Sequence, residues 1–106
     1  MSDIHKIFKY TIKETDKQII CLPAGAQILS VIDQGSEIVL YAMVPYPNDF
    51  PEVHVEYDIR VVGNGHNVDF STIDFTFVGI VSLYKGTLTY HVFYQRGHLI
   101  GPDGVI

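Results

Sequence analysis

The sequence predicts an all-β fold, a small antiparallel β-sandwich or partly open β-barrel of about seven strands. Apolar residues alternate with polar ones over several stretches, as they do in strands that bury one face. Glycine-containing turn signals separate these stretches at short intervals, and no stretch has a convincing helical period. Short strands joined by such turns are typical of sandwiches and barrels.

The clearest alternation lies in the middle of the chain. At 53–62 every second residue is apolar and most of the others are polar, which predicts a strand with one wet face. The stretch 75–84 is apolar on both faces, so we expect this strand to be central or covered. The remaining strands are predicted at 4–12, 17–22, 27–32, 37–44 and 88–95.

Turn chemistry predicts how the strands connect. DQGS at 33–36 and YKGT at 84–87 carry glycine where a tight turn needs positive φ, which predicts hairpins turning at Gln34-Gly35 and Lys85-Gly86. The stretches 4–12 and 17–22 are predicted to form a third antiparallel pair.

The length of 106 residues favours one domain, with a strand core at 6–94. Prolines in the segment 45–51 predict a loop, because proline lacks the N–H that a ladder needs. GNGHN at 63–67 is a second loop, and 96–106 is expected to be a loose C-terminal tail.

Composition argues against several classes of function. Twelve acidic residues against seven basic ones, with no basic cluster, disfavour binding of duplex nucleic acid. The single cysteine, Cys21, rules out an internal disulfide, and its apolar neighbours predict a partly buried thiol. No apolar run is long enough to span a membrane and no signal peptide is recognisable, so we expect a cytoplasmic protein.

The residues that could catalyse a reaction form no local motif. The five histidines are never three to five residues apart, so we expect no metal and no cofactor, although His54 and His91 could meet across strands. Glu56 and Asp58 share one strand face and could act as the acid and base of a hydrolase. A solvated acidic face is the simpler interpretation of this pair.

The loop after the strand at 53–62 is the strongest candidate for a binding site. Its glycines let backbone amides approach a ligand, His66 adds a directional donor, and Arg60 is one of two arginines in an acidic protein. The alternative is an ordinary turn, with Arg60 paired to Glu56 or Asp58. The predicted site, for an anionic small molecule or a partner, consists of Arg60, Gly63, Asn64, Gly65, His66 and His91.

Six segments together resemble a family of small proteins encoded by bacteriophages and prophages, whose function is unknown. They are KYTI (9–12), PAGAQILSV (23–31), LYAMV (40–44), RVVGNGH (60–66), FVGIV (77–81) and TYHVF (89–93). The chain departs from the family pattern at Tyr41 and Tyr90, where tryptophan is usual. The resemblance implies a viral source, and His66 and His91 fall in matching segments.

These observations favour a non-enzymatic accessory protein that acts by binding. By analogy with other small phage proteins, it would counter host defence by sequestering a nucleotide signal or docking on a host protein. A virion structural or assembly component is the alternative, and a small hydrolase using His66 comes third. Seven tyrosines and the two-sided apolar strands also predict a homo-oligomer.

Overall fold

The computed structural model describes residues 4–48, 51–68 and 75–106. These residues form strands, turns and irregular segments, so the predicted all-β fold is confirmed. None of the described residues belongs to a helix long and apolar enough to cross a membrane. The strands are β1 (His5–Ile12), β2 (Lys17–Pro23), β3 (Gln27–Gln34), β4 (Glu37–Pro45), β5 (His54–Gly63), β6 (Thr76–Leu83), β7 (Leu88–Gly101) and β8 (Gly104–Val105).

The strands form a sandwich of two antiparallel sheets. The three-stranded sheet has the order β1-β4-β3, and the five-stranded sheet has the order β2-β5-β7-β6, with β8 paired to β7. The inner faces of the sheets bury aliphatic side chains against each other, as alternation within the strands requires. The largest fully buried side chains include Leu22, Ile38, Leu40, Ile59 and Leu83.

Both predicted hairpins are present. In the β3–β4 hairpin Gln34 pairs with Glu37, so the turn is formed by Gly35 and Ser36, one residue later than predicted. The β6–β7 hairpin has the predicted connection at 84–87, in which Tyr84 and Lys85 also adopt positive φ.

The third predicted strand pair is wrong. β1 pairs with β4 and β2 pairs with β5, so the chain crosses from one sheet to the other at 13–16. Gln18 bridges this crossing: its Oε1 accepts from the Lys13 backbone N–H at 3.0 Å, and its Nε2 donates to the Lys13 carbonyl at 2.7 Å. Consecutive strands often pair, but a short connection can equally well join two sheets.

The prediction that the apolar strand at 75–84 is central or covered is also wrong. β6 is an edge strand, and a bulge at Val78 breaks its alternation. Phe77 and Gly79 pair with the adjacent residues Phe93 and Val92, so the extra residue turns Phe77 to the outer face. Phe77 is 52% exposed and Ile80 is 55% exposed.

The expected loose tail is ordered into strand. β7 continues to Gly101, and β8 folds back so that Val105 pairs with Ile100. The extended part of β7 pairs with residues 54–55 at the start of β5. A pairing between such distant residues leaves no local signal in the sequence. A bulge interrupts the ladder at 97–98, because Tyr57 pairs with Arg96 whereas Val55 pairs with Leu99.

The connections at 13–16, 35–36, 64–68 and 84–87 lie at one end of the sandwich, which we call the hairpin end. The β7 bulge lies toward the opposite end, which we call the bulge end. The predicted proline-rich loop begins where β4 ends at Pro45, and residues 49–50 of that loop are outside the described part of the chain.

Candidate functional site

The predicted binding loop begins where β5 ends at Gly63. The Asn64 N–H donates to the Thr89 carbonyl and the His66 N–H donates to the Gly63 carbonyl, each at 3.1 Å. Gly65 has a φ of 80°, which favours glycine in this turn. These hydrogen bonds occupy two of the backbone amides that an anion-binding loop would use, so the side chains carry most of its capacity to bind a ligand.

The structure brings Asn64 of the loop and His91 of β7 together. Nε2 of His91 lies 2.8 Å from Oδ1 of Asn64, and the amide oxygen accepts when Nε2 is protonated. His91 pairs with Val62 on the ladder, and its neighbour Val92 is fully buried, so His91 lies on the outer face of the five-stranded sheet. The bond ties the loop to β7.

His66 lies on the other side of the same sheet. A Cβ at Gly63 would lie 3.2 Å from Cε1 of His66, so the ring packs directly over the glycine. The register aligns Gly63 with Tyr90, which packs against the core, so the His66 ring is on the inner side. Asn64 and His66 share a cleft of about 250 Å³, whose other lining residues are Gly63, Gly86, Thr87, Leu88, Thr89 and Tyr90.

Arg60 is paired with Asp58, the alternative that the sequence left open. Its Nε lies 2.9 Å from Oδ1 and Nη2 lies 3.1 Å from Oδ2, a bidentate contact. The guanidinium carbon also lies 4.8 Å from the centre of the Phe75 ring. Arg60 and His91 are on the same outer face, because Arg60 pairs with Phe93, two residues from His91.

A carboxylate adjoins the cleft at the hairpin end. Glu14 accepts from the phenols of Tyr84 at 3.3 Å and Tyr90 at 3.2 Å. The charge of Glu14 raises the pKa of Tyr84, whereas burial, followed by Glu14, raises the pKa of Tyr90. The negative charge of Glu14 therefore repels an anionic group close to the Tyr84 and Tyr90 phenols.

The other candidate residues are separated or occupied. His54 and His91 both lie on the β5–β7 ladder, but they are far apart. His91 pairs with Val62, which is eight residues from His54 along β5, about 26 Å. The described residues contain no group of three or more His, Cys, Asp and Glu side chains that could hold a metal. Cys21 is exposed, because it points outward from the edge strand β2, so the predicted partial burial is wrong.

Sequence reasoning missed a larger cleft at the bulge end. Its volume is about 510 Å³, and Arg96 of β7 stands beside it. The available signal was the RGH segment at 96–98, where a glycine follows an arginine within an otherwise regular strand pattern. The cleft is lined by Ala26, Gln27, Ile28, Tyr57, Thr76, Tyr94, Gln95 and Arg96.

Comparison with known proteins adds a family match. Residues 4–99 match a family described as "Domain of unknown function (DUF7352)". No curated protein and no solved structure matches the chain.

Proposed function

The chain belongs to the DUF7352 family, and we propose that this protein is a small accessory protein of viral origin that acts by binding in the cytoplasm of the infected bacterium. The ligand that we propose is a nucleotide-type signal, which the protein would sequester to counter host defence. The resemblance of the chain to phage-encoded proteins supports the viral source.

The observation that carries this proposal is the cleft at the hairpin end. Asn64 and His66 line the cleft together, and the contact between Asn64 and His91 holds the loop against β7. An amide and an imidazole give directional hydrogen bonds of the kind that recognise the polar edges of a base or a sugar. A loop that is fixed before binding loses little entropy when a ligand arrives.

The size of the cleft limits the ligand. Its volume of about 250 Å³ lies just below the roughly 300–1,000 Å³ of pockets that enclose whole small-molecule ligands. A mononucleotide would therefore be held by one part, with the remainder in solvent. The anionic group would lie near His66, because Glu14 holds the tyrosine side of the cleft negative.

We predict that the double substitution Arg60→Ala and His66→Ala weakens nucleotide binding, and that His66→Ala alone carries most of the loss. A lost hydrogen bond to a charged group is worth about 1.5–3 kcal/mol, which corresponds to roughly 10- to 100-fold in affinity. The measurement is the thermal shift of the protein with adenosine and guanosine mono- and cyclic nucleotides. A saturating ligand at about 100 times its Kd would stabilise the fold by roughly 2.7 kcal/mol.

The control for this experiment is His98→Ala, which removes an exposed histidine from the bulge end. We expect it to bind nucleotide like the unsubstituted protein. If the double variant stays folded and keeps the full ligand-induced shift, the loop is not the site. If no nucleotide stabilises the unsubstituted protein, the sequestration proposal fails.

Docking on a protein is the second candidate function, and the exposed apolar side chains favour it. Phe77 and Ile80 lie on the outer face of the five-stranded sheet, and Ile7 and Ile32 lie on the outer face of the other. Apolar groups of this kind often mark an interaction surface. A host protein or, for a virion component, a structural protein of the particle would cover such a face.

We predict that the protein is a homo-oligomer through one of these faces. The monomer mass is 11.9 kDa, and light scattering at micromolar concentration should report a multiple of it. The paired variants Phe77→Ser with Ile80→Ser, and Ile7→Ser with Ile32→Ser, identify the face, because only one pair should dissociate the assembly. A monomer in the unsubstituted protein would contradict the prediction, and co-purification with virus particles would favour the virion function.

A further inference from the structure

We propose that the bulge-end cleft is a second binding site, which takes a small organic anion with its carboxylate or phosphate on Arg96 and a flat apolar body against Tyr94 and Ile28. This site is separate from the hairpin-end cleft and goes beyond the nucleotide binding proposed there. The two clefts share no lining residue.

The β7 bulge positions Arg96. The ladder pairs Tyr57 with Arg96 and Val55 with Leu99, so β7 has one more residue than β5 across this step. Gly97 allows the two backbones to come close, because a Cβ there would lie 3.1 Å from the Glu56 carbonyl oxygen. Bulges re-aim side chains and are common beside functional sites.

Arg96 and Arg60 carry the same charge but have different neighbours. Arg60 is neutralised by the bidentate contact with Asp58. In the described part of the chain Arg96 has no comparable salt bridge to a carboxylate. A guanidinium presents a planar fork of donors that matches carboxylate and phosphate oxygens. The protein as a whole is acidic, with a net charge of -5, so an anion would bind where a positive charge such as that of Arg96 is available.

Two aromatic rings give the cleft firm walls. Tyr57 is 3% exposed, and its phenol donates to the Ala26 carbonyl at 3.1 Å, which fixes β5 to the start of β3 across the sandwich. The rings of Tyr57 and Tyr94 pack edge to face with their centres 5.7 Å apart. Burial raises the pKa of Tyr57, and the nearby charge and hydrogen bonding of Arg96 oppose part of that rise, which places the guanidinium beside this phenol.

The cleft has the size and mixture of groups of a ligand site. Its volume of about 510 Å³ falls within the roughly 300–1,000 Å³ usual for small-molecule pockets. Tyr94, which is half-buried, and the small exposed part of Ile28 offer apolar contact, whereas Gln27 and Thr76 can hydrogen-bond a ligand from the side. One cation beside an apolar wall suits a ring compound with a single acidic group.

The test uses benzoate and phenyl phosphate as probes, with binding measured by calorimetry and by NMR shifts of the cleft residues. We expect at least one probe to bind and to shift the resonances of Thr76 and Arg96. Arg96→Gln should weaken that binding by about tenfold or more, the effect of losing a charge-assisted hydrogen bond. Lys85→Gln removes the same charge at the hairpin end and should leave the affinity unchanged.

Tighter binding of benzoate would indicate that the site prefers a carboxylate, and tighter binding of phenyl phosphate that it prefers a phosphate. Absence of binding by both probes at millimolar concentration would overturn the proposal, as would equal affinities for Arg96→Gln and Lys85→Gln. Equal binding of inorganic phosphate and phenyl phosphate would refute the aromatic part of the site. If Arg96→Gln does not fold, Arg96→Lys serves instead: it keeps the charge but loses the planar fork, and should also bind more weakly.

His66→Ala separates this inference from the proposed nucleotide function. The substitution should leave the affinity for benzoate and phenyl phosphate unchanged while it weakens nucleotide binding. Arg96→Gln should have the opposite pattern. If either variant loses both nucleotide binding and probe binding, the two sites are not separate.

Discussion

Ile59→Ala should lower the free energy of unfolding by about 2–5 kcal/mol, the range for removing a large aliphatic side chain from a packed core. Ile59 is fully buried and lies on β5, where it pairs with Gln18 on one side and Tyr94 on the other. The substitution removes apolar area from the core and leaves a cavity that flanking strands on both sides cannot easily collapse. Urea denaturation followed by circular dichroism gives the value.

Ile80→Ala is the matched control for Ile59→Ala. The same atoms are removed from the same sheet, but Ile80 is 55% exposed on the outer face. We expect a change within about 0.5 kcal/mol, as for most surface substitutions. If Ile80→Ala costs as much as Ile59→Ala at concentrations where the protein is monomeric, the assignment of inner and outer faces is wrong.

Gly25→Ala should also destabilise the protein strongly, for two reasons that add. Gly25 has a φ of 83°, and an ordinary residue in a sparsely populated conformation costs about 1–3 kcal/mol. A Cβ at this position would in addition lie 2.9 Å from Cγ of Pro45, so the turn after β2 or the end of β4 would have to move. Thermal and urea denaturation measure the total.

Gly35→Ala separates the two causes. Gly35 also has positive φ, at 68°, but a Cβ there would meet nothing within 4 Å. This variant should show the backbone cost alone, and the difference between the two variants is the cost of the contact with Pro45. Equal destabilisation would mean that the turn at Gly25 does not pack against β4 as closely as the structure has it.

The sequence predicts the local parts of this fold well. Alternation in 53–62 and the glycines at 35 and 86 act between near neighbours, and the strand and hairpin assignments that depend on them are confirmed. Whether β1 and β2 pair with each other or belong to different sheets depends on contacts between distant parts of the chain, which no local pattern encodes. The bulge at Val78 is likewise set by the register against β7, so the alternation of 75–84 alone does not show that Phe77 lies on the outer face.

The candidate site shows the same division. The loop at Gly63 follows directly from turn chemistry, and its link to His91 from the pairing of β5 with β7. The pairing of Arg60 with Asp58 was among the alternatives, because residues two apart share one face of a strand. Arg96 was missed because its surroundings come from β3 and β6 as well as from its own strand.

The edge strands β1 and β2, which lie opposite β3 and β6 in their sheets, affect how copies of the chain can associate. β1 carries Lys6 and Lys9, and β2 ends at Pro23, which has no N–H to offer. Charged and proline-bearing edges discourage another chain from adding as a further strand. On the opposite side β3 and β6 both bulge, at Leu29 and Val78, and lie against each other. Growth into a fibril by adding strands at these edges is therefore disfavoured.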